Sequence, residues 1–282
     1  MEKIQMPKGL TYHSDECLKH TYIKGGQEIV KPVQKIVVGG KVVCPRCHVE
    51  AQTKELQQFE SERAERIEKL RRYNVLYRES LVPDKTILTA TFENYTAVER
   101  EEIENKQMML EFRDRLRKGE QLNAILQGNP GAGKSHLCYA LLQDLNNYDC
   151  DVENPADKKT CLFINLEVLM RKIKSSFKNN DTQYTEDYLV ELLTNVDYLV
   201  LDDLGAETGA IDTDKAASNF VQRIIYAVTN GRQDKSTFTT FNLAGDKLKE
   251  TYDAKALSRL MKGRNFVVFN ETSDKRFEDL PF

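Results

Sequence analysis

Two groups of residues in this 282-residue chain have types and spacings that could do chemistry. The first is Gly128-Asn129-Pro130-Gly131-Ala132-Gly133-Lys134-Ser135, a match to G-x-x-x-x-G-K-[ST] with an apolar strand pattern before it and a helical pattern after it. Backbone N–H groups can wrap phosphates only where no Cβ stands in the way, which is what the glycines provide. The following helix adds the positive end of its dipole, and His136 in its first turn joins the candidate contacts. Lys134 is placed to reach the β- and γ-phosphates of ATP, and the Ser135 hydroxyl to ligate Mg²⁺.

A partner to this loop lies in Tyr198-Leu199-Val200-Leu201-Asp202-Asp203. An apolar strand ending in acids puts carboxylates at the carboxyl edge of a parallel sheet, where ligands bind. Asp202 is expected to hold Mg²⁺, directly or through water, and Asp203 to polarise the attacking water, with its role as the base left open. Thr237-Phe238-Thr239-Thr240-Phe241-Asn242 is a further strand, ending in an Asn suited to orienting that water. Arg259 lies on a short helix far along the chain, and Arg is the residue able to neutralise transition-state charge in trans.

The second group is Cys17-x-x-His20 with Cys44-x-x-Cys47, two chelating pairs separated by 23 residues. Two such knuckles suit tetrahedral Zn²⁺. Either His13 or His48 could replace His20 as the fourth ligand. A redox role for Cys44-x-x-Cys47 lacks the βαβ surroundings it needs. A fragment of under about 50 residues lacks the core to fold by itself, so a metal would supply the missing stability.

Those side chains need a frame. Turn signals at Gly25-Gly26 and Gly39-Gly40, with prolines at 7, 32 and 45, mark residues 1–48 as a small metal module. Ile36-Val37-Val38 and Lys41-Val42-Val43 read as a hairpin around the second glycine pair. A charged helical pattern then runs from Val49 to Tyr77, within a linker of residues 49–88, and its apolar residues Leu56, Phe59, Ile67, Leu70 and Val75 form only a narrow stripe. Residues 89–282 form the ATPase domain, opening with a helix over Ala97–Lys118. Strands are expected at Asn123–Gln127, Cys161–Asn165, Tyr198–Asp202, Thr237–Asn242 and Asn265–Asn270, and helices near 134–147, 167–178, 185–194, 214–229 and 254–262. Alternation of this kind gives an α/β fold, a parallel five-stranded sheet flanked by helices. Apolar content of 40%, 30% charged residues and a net charge of −3 fit a soluble protein without a wholesale basic coat. No apolar run reaches the roughly 20 residues of a membrane helix, and the first residues lack an apolar signal segment. A cytoplasmic location and no membrane partner are therefore expected.

The order of the P-loop, the Leu201-Asp202-Asp203-Leu204-Gly205 strand, the Thr239-Thr240-Phe241-Asn242-Leu243 strand and the Ser258-Arg259-Leu260-Met261-Lys262-Gly263 helix resembles the bacterial and phage helicase loaders of the DnaC/DnaI type. The IstB-type transposition helpers belong to the same wider group. The resemblance covers roughly residues 90–276. It implies an AAA+ core that self-associates in the presence of ATP, with the nucleotide at subunit junctions. It also implies that Asn242 is the sensor-1 residue, that Arg259 is an arginine finger, and that Lys275 or Arg276 is a basic sensor-2 residue. Loaders of this kind contact single-stranded DNA from the helix after the second strand, here Glu167–Lys178, where Lys174 and Phe177 match the pattern best. Its positive charge with one aromatic is the physical kit for single strands. By the same resemblance the zinc module docks on a hexameric replicative DNA helicase. The alternatives are a transposition helper acting on duplex DNA, or a stand-alone nucleotide-dependent enzyme such as a small-molecule kinase.

Overall fold

The computed structural model describes residues 11–148, 152, 154–177, 184–206, 219–242, 245–261 and 265–277. The chain divides into two compact units, with the division between Ile67 and Glu68.

In the first unit, β1 (Thr11–Cys17), β4 (Val33–Val38) and β5 (Lys41–Val43) form an antiparallel sheet in the order β1-β4-β5, and β2 (Thr21–Lys24) pairs with β3 (Gln27–Val30) as a separate hairpin. The expected β4–β5 hairpin turns at Gly39-Gly40, pairing Val38 with Lys41. Among the described residues up to Ile67, only Cys17, His20 and Cys44 are buried. Those described residues form no apolar core, and the buried side chains among them are three of the four candidate metal ligands. The next element, α1 (Pro45–Arg78), starts earlier than the expected Val49. Proline suits the first position of a helix, where its missing N–H costs nothing. The Cys44-Pro45-Arg46-Cys47 knuckle is therefore itself the helix start.

The second unit holds a five-stranded sheet in the order β10-β6-β9-β8-β7, all of whose pairings are parallel. Its elements are α2 (Arg100–Arg117), β6 (Asn123–Gly128), α3 (Lys134–Tyr148), β7 (Cys161–Asn165), α4 (Leu166–Ser176), α5 (Glu186–Asn195), β8 (Tyr198–Leu204), α6 (Asn219–Gly231), β9 (Ser236–Phe241), α7 (Gly245–Thr251), α8 (Ala254–Leu260) and β10 (Asn265–Phe269). All five expected strands are present, within two residues of the expected ends. The helix expected from Ala97 begins at Arg100, because the Glu102 carboxylate accepts the N–H groups of Val98 and Glu99 and fixes the start there. Residues 214–218 of an expected helix, Lys178 and Lys262 lie outside the described residues.

Strand periodicity divides the core in two. Ala124, Leu126, Phe163, Val200 and Phe238 pack with α2 and α3 on one face. Ile125, Leu162, Ile164, Leu199 and Leu201 pack with α4, α5, α6 and α8 on the other. A sheet covered on both faces explains why the strands read as continuous apolar runs rather than alternations. The strand order matters most for chemistry. With β9 between β6 and β8, the loop after β6, the residue after β9 and the acids ending β8 share one carboxyl edge. Among the described residues, no helix is long and apolar enough to cross a membrane.

Candidate nucleotide site and metal centre

The P-loop leaves β6 at Gly128, whose φ is 139° and where a Cβ would lie 2.1 Å from the Phe269 carbonyl oxygen of β10. Only glycine permits both the angle and the approach. The loop is tied to the chain after β10: Asn129 N–H donates to Phe269 O (2.9 Å), and its side-chain amide to Asn270 O (3.0 Å) and Thr272 O (3.2 Å). Lys134 is 5% exposed and folds back, its Nζ donating to Gly128 O (2.9 Å) and Asn129 O (2.6 Å). Burial pulls its pKa down to about 8, with Asp203 and Asp202 acting in the opposite direction. The loop carbonyls satisfy an ammonium that a phosphate would otherwise engage.

Ser135 Oγ donates to Asp202 Oδ1 at 2.6 Å, and Thr240 Oγ1 donates to the same oxygen at 2.8 Å. Asp202 is 4% exposed, and burial pushes its carboxyl up to about 6; the neighbouring Asp203 adds to the rise, while hydrogen bonds from Ser135, Thr240 and Asn165 resist it. Asp203 is the only non-glycine residue at positive φ (62°) among the described residues. The β8–β9 register breaks between Leu201 and Leu204, and the Asp203 N–H donates to Thr240 Oγ1 (2.8 Å) instead of a ladder partner. Such strain persists only where surrounding contacts enforce it, and it collects at functional sites. Asn242 Nδ2 donates to Asp203 Oδ1, so Asn242 touches the second acid directly. Burial raises the Asp203 carboxyl, with Lys134 pulling it down and Glu167 pushing it up.

His136 is turned to the segment before α2: its Nε2 lies 3.0 Å from Thr91 O and its ring packs against Tyr95. Of the two basic sensor-2 candidates, Lys275 is engaged by Glu102 (2.8 Å) and by Thr96 O. The Arg276 side chain is 66% exposed, ion-paired with Asp274 (2.6 Å), and its charge is felt at Lys134 and Asp203.

In the first unit, the ligand atoms of Cys17, His20, Cys44 and Cys47 all lie within 4.8 Å of one another. Zinc bonds of about 2.3 Å to sulfur and 2.0 Å to nitrogen put tetrahedral ligand atoms about 3.5–3.8 Å apart. Cys17 Sγ and Cys47 Sγ are 3.7 Å apart, and His20 Nε2 lies 3.2 Å from both Cys44 Sγ and Cys47 Sγ, so this donor set fits the ion. The other ring nitrogen of His20 lies 3.4 Å from Glu50 Oε1, a carboxylate placed to fix the ring's orientation. Burial acts to raise the Cys44 thiol, yet the N–H of Cys47, the His20 ring and the N–H of Arg46 outweigh it and bring it down to about 6. His48 is exposed and His13 lies beside Asp15 (3.6 Å), neither of them in the cluster.

No family model matches the chain. A stretch of 153 residues is 26% identical to the replicative helicase loader DnaC of Escherichia coli (strain K12), covering 54% of this chain and 56% of that one. The chain thus spans little more than half the length of this relative. The crystal structure of the DnaC helicase loader matches with a TM-score of 0.52 at 18% identity, over 66% of this chain and 100% of that one. The crystal structure of DnaI gives 0.50 at 20% identity, over 67% and 95%. Its relatives are replicative helicase loaders of the DnaC type. The structural likeness shows a shared fold, the five-stranded parallel sheet flanked by helices.

Against that DnaC-type frame, Arg259 stands on α8 with its Nε bonded to Asn230 (3.2 Å), Nη1 to Lys255 O (3.1 Å) and its guanidinium 4.7 Å from the centre of the Tyr226 ring. Lys174 is exposed on α4, and Phe177, at 61% exposure, stands outside the core with its ring edge-on to Phe220. Thr240 and Asn165 were not singled out by the sequence. Their only signal is register: Asn165 sits opposite Asp202 on β7, and Thr240 lies two residues before the Asn of its strand.

Two expected outcomes follow from these geometries. Because the folded pKa of Asp202 is raised, its contribution to stability is complete below the unfolded value near 3.8 and is lost as pH rises through about 6. Asp202→Asn should therefore stabilise the nucleotide-free protein by roughly 2–3 kcal/mol at pH 8 and by nothing at pH 4, as read from urea unfolding. Equal stability of the two proteins at pH 8 would contradict the burial argument. For the metal centre, His20→Ala should lower bound zinc in the purified protein, whereas His13→Ala and His48→Ala should retain it, by elemental analysis.

Proposed function

We propose that this chain is an ATP-dependent helicase loader in DNA replication, acting in the cytoplasm. The observation that carries the reading is the hydrogen-bonded set Ser135–Asp202–Thr240–Asp203–Asn242 beside Lys134, in a chain whose relatives are named replicative helicase loaders. Residues 1–48 act as a zinc module that docks on the hexameric replicative helicase, 49–88 as a helical linker, and 89–282 as the ATPase domain.

Gly128 through His136 wrap the phosphates of ATP, and Lys134 leaves the Gly128 and Asn129 carbonyls to engage them. Ser135 and Asp202 would hold Mg²⁺, which supplies charge neutralisation at the phosphate oxygens. Asp203 takes the proton of the attacking water, and Asn242 keeps that carboxylate aimed. Arg276 serves as the basic residue after the last strand, and Arg259 reaches the nucleotide of a neighbouring copy. Cys17, His20, Cys44 and Cys47 would hold Zn²⁺, which supplies folding stability to a module whose described residues form no apolar core. Lys174 and Phe177 contact single-stranded DNA, by charge and stacking. The energy source is a switch between two nucleotide states, with hydrolysis releasing the loader.

The test is size-exclusion chromatography of the full chain with the host's hexameric replicative helicase in MgATP. Co-elution is expected, with loss of co-elution for the Cys44→Ser/Cys47→Ser pair. A protein that ignores the helicase and instead coats duplex DNA in ATP would reverse the reading in favour of a transposition helper.

A further inference from the structure

The segment after β10 does more than close the sheet. Lys275 N–H donates to Gly131 O (3.1 Å), which lays the turn 274–276 directly on the P-loop. Gly131 has φ 73°, and a Cβ there would lie 1.8 Å from Asp274 Oδ1. A carboxylate therefore rests against the backbone of a loop whose glycines and lysine are built to receive anions. Arg276 grips that carboxylate as a fork, Nε to Oδ1 at 2.8 Å and Nη2 to Oδ2 at 2.6 Å, and its own N–H donates to Oδ1 at 3.0 Å.

A guanidinium fork matches a carboxylate and a phosphate equally well. We infer that Asp274 is an internal stand-in for nucleotide phosphate, which holds Arg276 at the P-loop while the site is free and must give it up when a nucleoside triphosphate binds. The inference rests on reading this loop as the nucleotide site. It assigns Asp274 a positioning role that sets affinity for the phosphate chain. Its hold on Arg276 must be broken before that arginine can serve the ligand. Since Lys275 is anchored to Glu102 and to the Thr96 carbonyl, the exchange needs only the Arg276 side chain to swing, with the turn kept in place. Phosphate binding is then a swap of one anion for another on one guanidinium.

The substitution that separates charge from shape is Asp274→Asn, because the amide oxygen still accepts the Arg276 N–H and preserves the turn. Full-length wild type, Asp274→Asn, Arg276→Ala and the double variant are titrated with a non-hydrolysable ATP analogue and with adenosine, by calorimetry. Loss of a charge-assisted pair predicts triphosphate binding about tenfold tighter in Asp274→Asn, with the gain shrinking as salt rises and adenosine affinity unchanged. The gain should vanish in the Arg276→Ala background. Triphosphate affinity that is unchanged or weaker in Asp274→Asn would overturn the inference. So would an equal gain for adenosine, or a gain that survives without Arg276. A wild-type protein that binds no triphosphate would overturn the nucleotide site itself, and the exchange with it.

Discussion

The Thr240 hydroxyl is the contact on which the rest of the candidate site depends. It donates to Asp202 Oδ1 and accepts the Asp203 N–H, so one small side chain from β9 fixes both acids that end β8. The two roles are linked by geometry. Asp203 can sit at φ 62° because its N–H has left the strand ladder for that hydroxyl. The backbone strain then turns the two neighbouring carboxylates in different directions. Asp202 is directed at Ser135 on the P-loop helix, and Asp203 at Asn242 beyond β9. Without β9 beside β8 the Thr240 and Asn242 contacts could not form, so sheet order is a chemical requirement here.

Around that contact the protein places charges where burial makes them expensive. Lys134, Asp202 and Asp203 are all shifted towards their neutral forms, chiefly by burial. A site in this state favours a ligand that brings its own compensating charges, because binding relieves a cost already built into the fold. The loop is also braced from the far side. Asn129 is tied to the chain beyond β10, and Glu101 accepts the N–H groups of Asn270, Glu271 and Thr272. The P-loop thus rests against a fixed surface, and the mobile part of the exchange is confined to side chains. In the first unit the logic is reversed. There burial is so scarce among the described residues that the candidate metal ligands themselves supply it, and a helix N-terminus lends N–H groups to a thiol.

How much of this could be read from the sequence follows from locality. The P-loop, the acids after an apolar run and the two cysteine knuckles are short-range patterns, and each corresponds to a single local structure. The five strands were legible for the same reason, since a sheet buried on both faces leaves unbroken apolar runs. What stayed hidden was pairing between strands distant in sequence. Nothing in the run around Thr240 says which of its three threonines faces the acids; that depends on β9 lying beside β8 in one register. Asp274 was invisible for the same cause, since its partner across the fold is a glycine with no side chain to suggest a contact. His20 competed with His13 and His48 until the turn after β1 brought its ring between two sulfurs. The start of α1 was misplaced because Pro45 was read as a turn marker when it occupies the first helical position.

The most direct measurement of this account is made on Thr240→Val, which keeps the shape of the side chain and removes the hydroxyl. Binding of MgATP and its steady-state hydrolysis are measured on the same preparation, beside the wild type. The account predicts that the variant binds MgATP within about threefold of wild type while kcat falls at least about tenfold, because only the aim of the acids is lost. Wild-type turnover in Thr240→Val would contradict it, since the acids would then not need the contact on which the site is argued to depend.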